Sequence, residues 1–132
     1  MKTPTISTLA ALLPGLLLAG PAAADGHDEA MQKLANSSGC LSCHQIEPGA
    51  KGPDGMAPIG PAWRDVAAQY KGQKSVDAKL IQTVMAGSNP YESHWKGKVS
   101  GLAMPPNAVA IKAADARALV KWILALDAAK KT

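Results

Sequence analysis

The 132-residue chain contains no phenylalanine, and its large aromatic side chains are three tryptophans and two tyrosines. Alanine is abundant instead. A domain of about a hundred residues is marginally stable even with a well-filled core. So few large apolar side chains cannot fill such a core on their own. We therefore expect the fold to depend on apolar volume from another source, and the chain without it to be poorly ordered.

Other absences exclude whole classes of protein. No stretch alternates between apolar and polar residues as a half-buried strand would, which argues against β and βαβ folds. The basic residues are scattered, without the basic stripe and interleaved aromatics of a nucleic-acid-binding surface. The formal net charge of +4 falls to +3 without Lys2, with 13 basic and 10 acidic residues remaining. This mild excess favours docking to acidic protein partners and not to nucleic acid.

Cysteine is scarce too, but its placement is specific. The two cysteines are Cys40 and Cys43, and His44 follows directly. This Cys-x-x-Cys-His spelling is typical of covalent c-type haem attachment. On one helical turn, side chains three residues apart share a face, so both thiols can reach the two vinyl groups on one edge of a porphyrin. The motif thus predicts one covalent haem c, with His44 bound to the iron from one side.

A Cys-x-x-Cys pair can also be a redox dithiol, a structural disulfide or half of a zinc site. A thioredoxin-like dithiol belongs to a βαβ unit, whereas residues 28–38 have no strand character. Structural zinc needs four ligands, usually from two separated pairs. No second cysteine pair exists, and His27 and His94 stand at unrelated spacings. A disulfide across so short a loop would add little stability and would leave His44 unexplained.

The N-terminus has the parts of a secretory signal peptide. A basic start is followed by the apolar residues 6–19 and by the small residues 21–24. The apolar run is too short for a membrane anchor and is interrupted by Pro14. We expect cleavage after Ala24, which leaves one exported, periplasmic domain of residues 25–132 that is not an integral membrane protein. An uncleaved signal would instead tether the chain to the membrane.

Apolar residues recur at helical spacing in four segments, which predicts an all-α fold. The predicted helices cover residues 28–39, 61–72, 75–87 and 112–127. Asp28 and Ser75 are candidate N-caps, Ala35 faces inward, and Trp122 is expected at the edge of the last helix. Two loops rich in glycine and proline, residues 47–60 and 88–107, would wrap the two faces of the haem.

A haem iron held by His44 has a second axial position, and the candidate ligands are Met31, Met56, Met85, Met104, His27 and His94. The methionines on apolar helix faces, Met31 and Met85, are expected to fill the core, and the histidines to be solvated. Met104 is favoured because Pro105 imposes extended backbone that can project a side chain to the metal. Met56 is the alternative. With a thioether as the second axial ligand, the iron has no open coordination site for a substrate. The expected activity is therefore electron transfer and not catalysis.

Three further segments accompany the motif in order: 60–68, beginning Gly-Pro-Ala-Trp; 104–107, Met-Pro-Pro-Asn; and 121–124, Lys-Trp-Ile-Leu. Together they resemble the small bacterial class I cytochromes c over residues 28–127, above all the short type that donates electrons to nitrite reductase or terminal oxidases. The resemblance implies the class I cytochrome c fold, with about four helices and long Gly/Pro-rich loops around one covalent haem. Residues 47–59 and 93–103 are longer than in the shortest members.

The resemblance also implies a role for each site residue. Thioethers would come from Cys40 and Cys43, the proximal ligand would be His44, and the distal ligand would be Met104. Pro61 would offer its carbonyl to the proximal imidazole. Asn107 would hydrogen-bond near the ligand sulfur, and Trp95 would contact a haem propionate.

The leading hypothesis is a soluble, monomeric periplasmic carrier, whose partners are an electron-donating dehydrogenase or cytochrome complex and an accepting reductase or oxidase. The alternative is a haem subunit stably bound to a periplasmic oxidoreductase, such as a sulfite or alcohol dehydrogenase. Size-exclusion chromatography of the native extract separates these two. A gas sensor or peroxidase would need an open distal site, and would show rapid carbon monoxide binding.

Overall fold

The computed structural model describes residues 22–126. Within this range the chain forms helices and loops without any strand, and the predicted all-α fold is confirmed. The helices are α1 (Ala22–Ser37), α2 (Trp63–Tyr70), α3 (Val76–Ala86) and α4 (Ala113–Ala125). Two short 3₁₀ turns, Cys40–Ser42 and Pro53–Gly55, lie between α1 and α2.

The last helix, α4, lies at the centre and packs against the other three helices. Its buried residues follow helical spacing and are Ala116, Leu119, Val120, Trp122 and Ile123. Trp122 is only 5% exposed, so its predicted place at the edge of this helix is wrong. Because α4 packs against three helices, it needs a wide apolar face, and Trp122 lies on that face. The indole of Trp122 meets Trp63 of α2 edge-on, with ring centroids 5.7 Å apart at 85°.

Helix α1 already includes the described residues 22–27, so the predicted N-cap at Asp28 is wrong. Asp28 lies inside α1, and its carboxylate accepts a hydrogen bond of 2.7 Å from the indole Nε1–H of Trp122. The side chain thus satisfies a donor on α4 instead of a backbone donor at a helix start. Ala35 is fully buried in the core that α4 shares, as predicted.

The second and third helices lie where the apolar spacing predicts them. In α2 the buried residues are Trp63, Val66, Ala67 and Tyr70. Helix α3 begins after Ser75, but Ser75 has a left-handed φ of 59° and its side chain makes no capping bond. No residue of α3 is fully buried, although Leu80 and Val84 are apolar and partly packed against the core. The apolar face of α3 therefore borders an open space.

Most of the predicted signal peptide, residues 1–24, and the predicted end of the last helix at Asp127 lie outside the described residues. The predicted cleavage point after Ala24 falls within α1. Within residues 22–126, none of the helices combines the length and the apolar character needed to span a bilayer.

Candidate functional site

The open space beside α3 is a cavity of about 340 Å³, within the usual range for small-molecule sites. Apolar side chains of α2, α3 and α4 line much of it, including Leu80, Val84 and Ile123. Cys43, His44 and Met104 also line the cavity. The chain thus brings the second cysteine of the motif, the predicted proximal ligand and the favoured distal ligand to one space.

Cys40 begins the 3₁₀ turn that follows α1, and Cys43 is the first residue after that turn. The backbone N–H groups of Cys43 and His44 both donate to the Cys40 carbonyl, at 3.3 and 3.1 Å. In such a turn, side chains three residues apart lie in line. Both thiols are free of any disulfide, with Cys43 exposed and Cys40 half-buried. Burial raises the pKa of the Cys40 thiol, against a smaller opposing effect of a backbone hydrogen bond.

The imidazole of His44 is held by Pro61. His44 Nδ1–H donates to the Pro61 carbonyl at 2.8 Å, which is the hydrogen bond that the resemblance implies. Because a carbonyl oxygen can only accept, this bond places the proton on Nδ1 and leaves the Nε2 lone pair available to a metal. Burial lowers the pKa of His44, and the bond to Pro61 offsets part of that effect. The neutral imidazole, the form that binds metals, is therefore favoured.

Two further residues shape the space around this imidazole. A Cβ atom on Gly60 would lie 2.9 Å from Cε1 and 3.0 Å from Nδ1 of His44, so any side chain there would displace the ring. Trp63 stacks against the His44 ring, with centroids 5.9 Å apart and an interplanar angle of 25°. The sequence contains both residues in its Gly-Pro-Ala-Trp segment, but their contact with His44 follows from the fold and not from local spacing.

The candidate distal ligands differ in whether they line the cavity. Of the candidates, Met104 and His94 line it, and the ring of His94 meets Tyr70 edge-on at 5.9 Å. Met56 is 55% exposed and is not part of the lining. The remaining candidates lie as predicted: Met31 and Met85 pack against the core, and His27 is exposed on α1.

Met104 is anchored to the end of α3, and this contact was missed in the sequence. Its backbone N–H donates to Ser88 Oγ at 2.8 Å, and its carbonyl accepts the Ser88 N–H at 2.9 Å. The glycine after the apolar stretch of α3 correctly predicts the helix end at residue 87. It does not indicate which segment the following serine would bind.

The side-chain amide of Asn107 donates to two backbone carbonyls, Pro105 at 2.6 Å and Val84 at 3.3 Å. A primary amide has two N–H donors. The predicted hydrogen bond to the ligand sulfur would need one of them to be released. Trp95 is half-buried and lines the cavity, with Lys98 Nζ 5.7 Å from its ring centroid. Its contact with a haem propionate stays a prediction.

The two long loops are joined to each other at the cavity. Ser100 N–H donates to the Pro58 carbonyl at 2.9 Å, Ser100 Oγ donates to the same oxygen at 3.3 Å, and Gly101 N–H donates to the Ile59 carbonyl at 3.0 Å. We refer to these three bonds as the rim brace. Since Ile59 and Gly101 both line the cavity, the rim brace connects the segment that leads to Pro61 with the segment that leads to Met104.

The residues present fit a covalent haem. The cavity is mostly apolar, a fixed imidazole and a thioether line it, and two free thiols lie on one turn at its side. An apolar ring would also cover the face of α3 that no protein side chain buries. Cys40 and Cys43 would hold this ring, and His44 with Met104 would bind its iron.

The chain is similar in sequence and fold to known proteins. The Cytochrome c family model matches residues 29–127. Cytochrome c-551 of Allochromatium vinosum is 44% identical over 93 residues, which cover 70% of this chain and 82% of that protein. Cytochrome c-552 of Nitrosomonas europaea is 36% identical over 126 residues, 96% of this chain and 99% of that protein. The crystal structure of wild-type N. europaea cytochrome c552 aligns with a TM-score of 0.57 at 32% identity, over 73% of this chain and 99% of that one.

Proposed function

The chain belongs to the cytochrome c family, as a small class I c-type cytochrome with one covalent haem c, and from this membership we propose that it is a diffusible electron carrier of the periplasm. It is an electron-transfer protein and not an enzyme. When bound, haem c supplies a one-electron Fe(II)/Fe(III) couple. The observation that carries the proposal is that the imidazole fixed by Pro61 and the thioether of Met104 line the same cavity.

This chain's residues give that couple its properties. The Pro61 carbonyl keeps the proton on Nδ1 of His44 and orients the ring. As a ligand, the soft sulfur of Met104 would favour the ferrous state more than a second imidazole would. With His44 and Met104 both bound to the iron, no position would be left for a substrate. Exchange with the surroundings is then limited to electrons.

Cys40 and Cys43 would hold the haem, which would supply the one-electron couple for exchange with partner proteins. The mild positive net charge supports partners with acidic docking surfaces. We propose that these are redox proteins, and that the carrier is monomeric.

The test is an absorption spectrum of the holoprotein in both redox states, including the near-infrared methionine–iron band of the oxidised form. We expect the wild type to show this band at neutral pH, and Met104→Ala to lose it and to bind carbon monoxide rapidly when reduced. Removing the thioether leaves the distal position open, which is the physical reason for both changes.

Met56→Ala is the matched control, because it removes a methionine that does not line the cavity. It should keep the band and the slow carbon monoxide binding. If Met104→Ala keeps the band, another residue is the distal ligand. If the reduced wild type already binds carbon monoxide rapidly, the site is open and the carrier proposal fails.

A further inference from the structure

The segment that carries Met104 is attached to the end of α3 by a reciprocal pair of hydrogen bonds. Ser88 follows Gly87, the residue that ends the helix. Its N–H donates to the Met104 carbonyl at 2.9 Å, and its hydroxyl oxygen accepts the Met104 N–H at 2.8 Å. The backbone of Met104 is therefore held through both its donor and its acceptor by one residue.

The two segments also touch at Gly87. A Cβ atom at this position would lie 3.0 Å from the Met104 carbonyl oxygen and 3.1 Å from the Pro106 backbone nitrogen, and the φ of Gly87 is +86°. The absence of a side chain thus lets the Met104 segment lie directly against the helix end. This close approach brings the Ser88 hydroxyl within bonding distance of the Met104 amide.

The composition of the segment makes this hydroxyl bond important. Met104 is followed by two prolines, Pro105 and Pro106, which have no backbone N–H. The next donor is Asn107, whose N–H bonds to the Val84 carbonyl at 3.0 Å. Between the Met104 and Asn107 anchors, the segment has no backbone donor with which to attach itself to α3. Without the Ser88 hydroxyl, the Met104 amide would also lose its acceptor at a half-buried position.

We infer that Ser88 is a positioning residue for the distal ligand, and that its hydroxyl keeps the Met104 sulfur at the iron. The inference rests on the proposed function, in which Met104 is that ligand. Ser88 acts through the Met104 backbone and does not itself contact the iron. Its hydroxyl therefore determines how often the distal position of the iron opens to an external ligand. The ligand on the other side of the iron, His44, is positioned by Pro61.

The experiment uses the reduced holoprotein and measures the rate of carbon monoxide binding, together with the temperature at which the oxidised form loses its methionine–iron band. In Ser88→Ala we expect the band at low temperature, its loss at a lower temperature than in the wild type, and a rate roughly two- to tenfold higher, the effect of one net hydrogen bond. Ser88→Thr keeps a hydroxyl and should restore the wild-type rate.

Ser37→Ala is the control, since its hydroxyl also makes one hydrogen bond to a backbone group, but to the Leu34 carbonyl on α1 and away from the cavity. Its carbon monoxide rate should stay at the wild-type value. Equal rates in Ser88→Ala and Ser37→Ala would overturn the inference. If Met104→Ala loses the band while the two rates are equal, only the role of Ser88 is refuted. If Met104→Ala keeps the band, then both Met104 as the distal ligand and Ser88 as its positioning residue are refuted.

A second measurement needs no variant that could fail to fold. In the wild-type holoprotein, the Met104 amide hydrogen should exchange with solvent more slowly than expected for a loop, because it is bonded to Ser88. Slow exchange supports the inference. Exchange at the rate of a free amide would show that the bond does not hold in solution, and would overturn it.

Discussion

Single residues around His44 show which site features a sequence can reveal. The order Cys40, Cys43, His44 is itself the chemical signal, because attachment and ligation depend on neighbours along one turn. The need for glycine at position 60 is different. It arises because residues distant along the chain place a ring 2.9 Å from the missing Cβ. Spacing predicts the first kind of residue, and only the fold explains the second.

Tyr70 supplies a prediction about pH. Burial raises the pKa of its phenol above the ordinary value of about 10, so the folded state holds this proton more tightly than the unfolded chain. The associated stability is present in full below about pH 10 and is lost as pH rises through the raised pKa. We expect Tyr70→Phe to lose less stability than the wild type between pH 9 and pH 11, as measured by denaturant unfolding of the holoprotein.

The control for this prediction is Tyr91→Phe, which removes a phenol that is 84% exposed. Its loss of stability between the same two pH values should match that of the wild type. If Tyr70→Phe also matches the wild type over that range, the buried phenol does not contribute to the alkaline loss.

At the scale of helices, apolar periodicity predicted α2, α3 and the buried face of α4. It did not predict that Asp28 lies inside α1 or that Trp122 is buried. The indole of Trp122 donates to Asp28, which is 94 positions away, so neither feature could be read from local spacing. Trp122 in turn packs edge-on against Trp63, which stacks on His44. A single acidic residue in α1 therefore helps to position a series of rings that ends at His44.

This contact predicts the effect of substitutions in α1. Asp28→Ala should lower the free energy of unfolding of the holoprotein by about 1 kcal/mol, because the half-buried indole N–H of Trp122 loses its acceptor. Asp28→Asn, which keeps an acceptor oxygen, should lose less. Chemical denaturation followed by far-ultraviolet circular dichroism measures both.

Glu29→Ala is the appropriate comparison, because it removes an exposed acidic residue from the same turn of α1. It should change stability by less than Asp28→Ala. Equal effects of the two alanine substitutions would mean that the charge of α1, and not the indole bond, is responsible.

At the scale of the whole molecule, the amino-acid composition predicted that side chains alone would not fill the core. Among residues 22–126, no large side chain is less than 2% exposed, and α3 has no buried residue. The apolar volume missing from the sequence corresponds to the cavity of about 340 Å³. The pairing of the two long loops could not be predicted, because two bonds of the rim brace join backbone groups that are distant along the chain. The need for glycine at position 101 appears only in the fold, where a Cβ atom would lie 2.5 Å from the Ile59 carbonyl oxygen.

The unfilled face of α3 leads to a prediction for the haem-free chain. Because that face is only partly packed against the core, we expect lower helicity and a broader thermal transition than in the holoprotein, since burial is what stabilises a short helix. Circular dichroism of the two forms measures this difference. Full native helicity with a sharp transition in the haem-free chain would show that the fold does not depend on haem.

In the proposed function, where Met104 binds the iron, the rim brace would also limit how far its sulfur can move away. Gly101 is fixed to Ile59 three residues before Met104, and Asn107 is fixed to Val84 three residues after it. A side chain tethered this closely on both sides keeps an effective concentration at the metal, which for short linkers is on the order of millimolar. An external ligand must therefore compete with a local concentration of sulfur that dilution of the protein does not change.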